Sequence, residues 1–507
     1  MGLFENRFSK DEILNKIVQK RKAIPFTSEY SSIPNDFILL PCLIFVICFV
    51  LPLWLATFVP ILAIYLIYKY PSILKGESPF KVTTCLLEEN EVGELGTESG
   101  LATDIIPFES REYDIVVFGV TGHSGSLLAE YLIERYLKSG KGLKLAVAGR
   151  SPDKVTKSLS TLAQNTSFPE AINIPIIIAD TKDQESLNHM ARNTRVVSTT
   201  VGPYLKYGEP LVKACARYGT SYNDLTGEND FVKMMRAKYG SLAKASGASL
   251  VSTSGVDSIP SDIGVLEVVK KFKENQENTP DRVDVLVESA MGGVAGGTVD
   301  TILQYMDMRL PPNYVLKNRE QKGKMTTVPY LGLGYNSVAK VWCFPYIMAP
   351  INSKVVESTN TSLGHTKILH YNEAMVSPSL IANIFLSIVS LIISSIIFFY
   401  PTRQLLFQLG ILPRPGVGPS RKFMASGFLA QRFIASNVNG STEEMEFKFI
   451  GDPGGMLTAL FQAEVAVSLS SRKEIVIETG AGLTPGETLD SSAFASILRD
   501  TGLIVFQ

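Results

Sequence analysis

The chain is expected to fold as α/β: a doubly wound parallel sheet, a second α+β domain, and a membrane segment N-terminal to both. Three observations predict this. From residue 111 to 262, short apolar strands alternate with helical stretches. Beyond that point the pattern changes, and Val283–Glu288 alternates as a half-exposed strand does. Ahead of both, Phe37 to Tyr68 carries no charged residue.

The first strand, Asp114–Phe118, runs straight into Gly119, Gly122 and Gly125, spaced G-x-x-G-x-x-G. Leu127, Leu128, Tyr131 and Leu132 follow at helical spacing. Strand, glycine turn and helix is the arrangement that aims a helix N-terminus at a phosphate. Missing side chains let the backbone approach a pyrophosphate. His123 lies inside this turn, where a backbone or phosphate contact is expected rather than proton transfer.

The second strand, Lys144–Ala148, ends in Gly149-Arg150. In a dinucleotide fold that strand end meets the adenosine ribose, and an acidic residue there favours NAD. Here the position holds Arg150, with Ser151 and Lys154 behind it. Arginine binds phosphate in bidentate fashion, so NADP(H) is expected over NAD. The alternative is a solvated arginine starting the next helix. Further strands are expected at Ile174–Ala179, Val196–Thr200, Ser221–Asp224 and Ser249–Thr253. Asp180 ends the third, where it approaches the adenine or serves as a turn cap.

In the second domain, strands are expected at Val283–Glu288, Val338–Trp342, Met445–Phe449 and Glu474–Glu478. The organisation is then a polar tail (1–36), a hydrophobic segment or hairpin (37–70), an acidic linker (71–110), a nucleotide domain (111–262), an α+β substrate or dimerisation domain (263–450) and a C-terminal segment completing the fold (451–507). Within the α+β domain, 377–400 is a hydrophobic helix.

Phe37–Tyr68 as one helix would be roughly 48 Å long, against a hydrocarbon core of about 30 Å. Pro41, Pro52 and Pro60 punctuate it, and Pro52 is placed to kink it or turn it back as a hairpin. It starts too far in and runs too long for a cleaved signal peptide. Residues 377–400 are long enough to span, but a span would separate 401–507 from the nucleotide domain. A helix in a membrane or lipid-droplet surface, or in an oligomer interface, is favoured. A net charge of −1 without a basic stripe argues against nucleic acid. Five cysteines (Cys42, Cys48, Cys85, Cys215, Cys343) and four histidines (His123, His189, His365, His370) show no metal-ligand spacing, so no metal is expected.

Several further motifs stand in order: Ser198-Thr-Thr-Val-Gly-Pro-Tyr-Leu-Lys-Tyr-Gly-Glu-Pro210, Tyr222-Asn-Asp-Leu-Thr-Gly-Glu228, Gly255-Val-Asp-Ser-Ile-Pro-Ser-Asp-Ile-Gly264, Gly292-Gly-Val-Ala-Gly-Gly-Thr298, Gly416-Val-Gly-Pro-Ser420, Gly451-Asp-Pro-Gly454 and Gly482-Leu-Thr-Pro485. The ordered set resembles the saccharopine dehydrogenase-like oxidoreductase family, which includes trans-acting enoyl reductases. The resemblance covers residues 111–507. It implies a Rossmann NADP-binding domain joined to an α+β domain, with the cofactor between them. It also implies that Gly119, Gly122, Ser124 and Gly125 hold the pyrophosphate, with Thr121 beside them. Arg150, with Lys154, would take the 2′-phosphate, and Gly202 and Pro203 would border the nicotinamide ribose. Eukaryotic members of the family are associated with membranes and lipid droplets. A lipophilic small-molecule substrate and a cytosolic catalytic domain on the endoplasmic reticulum, a lipid droplet or another membrane are therefore expected. A homodimer is among the assemblies the sequence allows.

Tyr207, Tyr222 and Asp224 are the candidate catalytic groups near the nicotinamide end; for either tyrosine, a packed ring with a locally bonded hydroxyl is the plainer account. Lys206 is expected to point away from Tyr207 on a helix. Asp224 and Glu228 bracket a turn at the carboxyl edge of the sheet, where turn and cap chemistry is the plainer account. Asp257 and Ser258 before Pro260 suggest a helix cap. Two rivals stand beside a lipid reductase. One is a non-catalytic nucleotide-binding scaffold on lipid surfaces. The other is a saccharopine-type dehydrogenase, which would need an Arg/Lys cluster for its substrate carboxylates.

Overall fold

The computed structural model describes residues 2–22, 42–69, 84–88, 100–256, 258–307, 313–317, 322–327, 334–414, 416–471 and 475–507. Phe37 to Pro41, Asp257 and the linker glutamates Glu89, Glu91, Glu94 and Glu98 lie outside the described residues.

The polar N-terminal stretch is part of the folded body. Helix α1 (Lys10–Lys22) buries Ile13 and Ile17 against Phe428, Ala430, Ile450 and Val505. Ahead of it, Phe4 packs edge-on against Tyr131 at 5.0 Å. Four-residue spacing places the two isoleucines on one face of an otherwise charged helix, so the average polarity of this stretch conceals a docking stripe. The apolar segment that follows is helical over the described residues. A π-turn at Val46–Val50 leads into α2 (Leu51–Lys69), with a bend of 43°. The bend sits at Pro52, whose missing N–H breaks the helical ladder.

In the linker, β1 (Thr84–Glu88) pairs with β9 (Asn313–Lys317). The first large sheet contains β2 (Tyr113–Phe118), β3 (Leu145–Gly149), β4 (Ile176–Ile178), β5 (Thr194–Thr199), β6 (Ser221–Asn223), β7 (Ser249–Val251) and β16 (Gly480–Leu483). All seven run parallel, in the order β16-β7-β6-β5-β2-β3-β4. β2 is buried on both faces. Ile115 and Val117 face one core with Leu128 of helix α3 (His123–Leu132), while Val116 and Phe118 face the other with Leu187 and Val212. A continuous apolar run is what a central parallel strand requires. The strand order reverses between β2 and β5, which makes their carboxyl ends the topological switch point.

The second sheet has eight strands: β8 (Arg282–Met291), β10 (Lys324–Thr327), β11 (Gly334–Asn336), β12 (Val341–Pro345), β13 (Ile368–Ser377), β14 (Phe428–Ser436), β15 (Thr442–Ile450) and β17 (Ile504–Phe506). It is mixed, with β8 parallel to β13 and antiparallel to β14. The strand expected at Val338–Trp342 lies slightly later, at β12. The strand expected at Glu474–Glu478 is not there among the described residues: Val476 makes only an isolated bridge to Leu489. The chain pairs instead at β16, on the edge of the first sheet, where Gly482 at φ +63° comes close to the Val232 carbonyl.

Helix α4 (Leu380–Phe398) is capped by the Ser379 hydroxyl and anchored at its start by Asn383, which donates to the Cys343 carbonyl at 2.8 Å. It is the one described helix that is by itself long and apolar enough to cross a membrane, and only 11% of Leu380–Ile397 is buried. Its far end meets the N-terminal apolar segment, where Phe58 stands edge-on to Phe399 at 5.5 Å. Helix α5 (Thr458–Ser471) is almost wholly buried and joins the two sheets.

Candidate functional site

Gly119 ends β2 at φ +100°, a left-handed conformation that strains any L side chain. A Cβ there would lie 2.8 Å from Thr200 Oγ1. The Gly119 carbonyl accepts the Gly122 amide at 3.0 Å, closing the turn. A Cβ on Gly125 would lie 2.2 Å from that same carbonyl, closer than any side chain tolerates. The first turn of α3 therefore presses directly on the strand end. The opening amides of a helix have no intrahelical acceptor, so His123, Ser124 and Gly125 offer donors at a positive helix end. Thr121 is exposed and Ser124 half-buried at this mouth.

The Gly119 amide donates to the Ala148 carbonyl at 3.0 Å, which sets the end of β3 beside the turn. Arg150 and Lys154 are both exposed there, at and just inside the start of the helix Pro152–Asn165. Asp180 follows β4 and caps a turn: its Oδ1 accepts the Lys182 amide at 3.0 Å.

On the other side of the switch point, β5 leads to Gly202 and Pro203, joined by a cis peptide, and then to the short helix Tyr204–Tyr207. Glu228 caps that helix from the next loop, accepting the amides of Tyr204 at 2.9 Å and Leu205 at 2.7 Å. Burial pushes the Glu228 carboxyl up, and these two bonds oppose the rise. Tyr222 and Asp224 are fully enclosed. The Tyr222 hydroxyl donates to Asp224 Oδ2 at 2.7 Å, and Asp224 Oδ1 accepts the amides of Thr226 and Thr253. Burial raises the Tyr222 hydroxyl well above its ordinary range and pushes Asp224 up to about 6. The pair acts as an internal lock on two loops. Tyr207 is half-buried nearer the surface. Lys206 does not point away from it: the ammonium lies 5.1 Å from the Tyr207 ring centre. A helix of one turn leaves its long stem free to fold back. Ser258 occupies the expected cap position, yet its hydroxyl makes no cap bond.

The second domain closes over the glycine turn. Asp452 is the hub: Oδ1 accepts the Gly293 amide at 2.6 Å and Oδ2 the Gly455 amide at 2.5 Å. Pro419 fills the space beside Gly293, and the Val417 carbonyl accepts the Gly296 amide at 2.8 Å. At Gly418 a Cβ would stand 2.2 Å from His123 Nε2, so the imidazole occupies the space of the missing side chain. Burial pushes His123 below its usual range, keeping the ring neutral. Three glycine motifs that are far apart in sequence thus meet around the nucleotide turn. From α5, Gln462 donates to the Thr199 carbonyl at 2.9 Å and accepts Asn223 Nδ2 at 2.8 Å through its backbone oxygen. Buried oxygens of Ser198, Asn223, Ser254 and Gln462 find no partner among the described residues. Buried oxygens of this kind are ones that an enclosed water or a bound polar group can satisfy. Sequence reasoning missed Asp452 and Gln462. The Gly-Asp-Pro-Gly motif signalled the first, and a lone glutamine in an apolar helix gave no signal for the second.

A parallel sheet with a strand–glycine turn–helix at its switch point, closed by a mixed-sheet domain, defines a Rossmann-type two-domain protein. Relatives place it further. A Mycobacterium tuberculosis (strain ATCC 25618 / H37Rv) protein named as a trans-acting enoyl reductase is 30% identical over 401 residues, 75% of this chain and 94% of the relative. Trans-acting enoyl reductases of Mycobacterium bovis (strain BCG / Pasteur 1173P2) and Mycobacterium ulcerans (strain Agy99) are 29% identical over 412 residues and 28% identical over 419. These matches cover 76% and 78% of this chain, and 96% and 97% of the relatives. The chain belongs to the trans-acting enoyl reductase family. Among solved structures it is similar to an apo saccharopine dehydrogenase from Saccharomyces cerevisiae, with a TM-score of 0.42 and 12% identity over 78% of this chain and 99% of that one. No protein-family model matches.

Proposed function

We propose that this protein is an NADP(H)-dependent oxidoreductase, a reductase of a lipid intermediate working at a membrane or lipid-droplet surface. The observation that carries the reading is the contact of Gly125 with the Gly119 carbonyl, which leaves a bare backbone cradle at a helix N-terminus. Named relatives that are enoyl reductases support the reaction class.

The cofactor, when bound, supplies the hydride. The amides of His123 to Gly125 would hold its pyrophosphate, and Arg150 with Lys154 its 2′-phosphate. Neutral His123 adds a donor or acceptor without adding charge. Gly202 and Pro203, fixed by Glu228, form the floor beside the nicotinamide ribose. Tyr207 is the proton donor we favour, because Tyr222 is already committed to Asp224 inside the fold. The 416–420 loop lies over His123 and helps to keep water from the pyrophosphate end of the site.

A surface-lying α4 is supported by its two tethers. Asn383 holds its start to the second sheet, and Arg421, beyond its end, pairs with Glu130 of α3 through two bonds of 2.7 Å. Both flanks thus belong to one body, which on this reading sits on one side of a bilayer with the catalytic domain in the cytosol. A homodimer remains a proposal on the same footing. The test is to titrate the purified protein in lipid with NADPH and NADH, following nicotinamide fluorescence, and then to measure lipid-dependent NADPH oxidation. Selective NADPH binding with turnover supports a reductase. Binding without turnover on any lipid tested favours the scaffold reading, and binding of neither nucleotide sinks the oxidoreductase reading.

A further inference from the structure

Between Glu373 and Glu443 the sequence contains no Asp or Glu, while Arg403, Arg414, Arg421, Lys422 and Arg432 fall within the interval. This stretch begins with α4 and continues through the helix Tyr400–Gln408 into the loop that ends on the glycine turn. Large apolar side chains stand exposed along it, at Leu405, Leu409, Ile411, Val417 and Phe423. Arg414 and Lys422 are exposed among them. Apolar residues interleaved with cations and free of carboxylates suit an anionic lipid surface. A water-exposed loop gains nothing from that composition.

The same loop reaches the candidate site. Gly418 rests on His123, Val417 holds the start of the helix Gly296–Asp307 through its carbonyl, and Pro419 packs on Gly293. Val294, next to Gly293, is exposed as well. Exposed apolar residues therefore recur along the described chain from α4 to the lip of the nucleotide turn.

We infer that residues 400–414 and 416–423 seat the candidate site on an anionic phospholipid surface, with Val417 and Phe423 forming the apolar wall along which an acyl chain leaves the lipid for that site. This rests on the membrane-associated reductase reading and assigns that reading a contact surface and a route. The substrate it fits is a lipid with a long apolar chain that never has to enter bulk water.

The test uses the full chain in phosphatidylcholine vesicles containing phosphatidylserine. Cys42, Cys48 and Cys85 are changed to serine, and single cysteines carrying an environment-sensitive fluorophore are placed at Ile411, Val417 and Phe423. Leu391 on α4 reports membrane attachment, and exposed Val438, on the β14–β15 hairpin, serves as the water reference. Emission at Ile411, Val417 and Phe423 should shift to shorter wavelength and be quenched by lipids spin-labelled on the acyl chain, with Val438 unchanged. The pair Arg414→Glu with Lys422→Glu should remove the shift at Val417 and keep it at Leu391. A shift confined to Leu391 overturns this inference and leaves membrane attachment standing. No shift at any position overturns both. A shift present without vesicles, and rising with protein concentration, assigns the face to a second copy of the chain and also overturns the inference.

Discussion

Glu228 clamps Tyr204: one carboxylate oxygen accepts the Tyr204 amide at 2.9 Å, and the other accepts the neighbouring Leu205 amide at 2.7 Å. The bond pair ties the loop after β6 to the Gly202-Pro203 turn after β5. Glu228→Gln keeps the volume and removes one acceptor, so one buried amide loses its partner. The expected cost is about 1–3 kcal/mol of stability, read from the urea midpoint, with weaker NADPH binding. Binding at the parental affinity in a folded variant would remove Gly202-Pro203 from the cofactor floor.

Gly125→Ala tests the cradle. Its Cβ would lie 2.2 Å from the Gly119 carbonyl oxygen, which is backbone and cannot swing aside, and 2.7 Å from Thr200 Oγ1. We expect loss of detectable nicotinamide fluorescence enhancement and a lowered melting temperature. Gly122→Ala has 3.4 Å available and should be far milder.

Arg150→Ala tests nucleotide choice. Charge-assisted bonds to phosphate contribute about 1.5–3 kcal/mol, so NADPH affinity should fall about 10-fold or more. NADH affinity should stay the same. Equal loss for both nucleotides would show that Arg150 does not contact the 2′-phosphate.

Asp262 gives a pH prediction. It is buried, accepts the Gly486 amide at 2.7 Å, and is pushed up to about 7, chiefly by burial. A carboxyl raised in the folded state binds its proton more tightly folded than unfolded. Its contribution therefore falls as pH rises from its unfolded value towards about 7, and the penalty is complete above that. Asp262→Asn lacks this penalty. Its stability relative to the parent should improve as pH is raised from about 5 to about 8, as followed by thermal melts. A constant difference across that window would show that Asp262 does not titrate there.

Ile17→Ala tests the docking of α1. Removing a buried isoleucine from a packed site costs about 2–5 kcal/mol. The substitution should lower the melting temperature of the whole protein in one transition. A silent substitution would return the N-terminal stretch to the status of a tail.

The nucleotide domain was legible because its signals are local. β2, the three glycines and the first turn of α3 lie within a dozen or so residues, and each constraint is set by immediate neighbours. The closing of the site was not legible. Gly293, Gly418 and Asp452 are separated by more than a hundred residues in one direction and by a few dozen in the other, and only the mixed sheet brings them to His123. The strand expected at Glu474–Glu478 shows the same limit. Its apolar run Ile475-Val476-Ile477 looks like a strand, but Ile477 is exposed and pairing falls to Gly480–Leu483, where the edge of β7 was available.

By itself the sequence determined the strand–turn–helix, the basic residue at the end of β3, the two apolar segments and the family. Those follow from periodicity, glycine spacing and charge, which act over one or two turns of chain. The tertiary structure alone decided that Tyr222 faces Asp224 and not the cleft, that Glu228 caps Tyr204, and that the 416–420 loop rests on the nucleotide turn. Those outcomes depend on which buried polar groups find partners once the two sheets pack, and burial is a property of the whole fold.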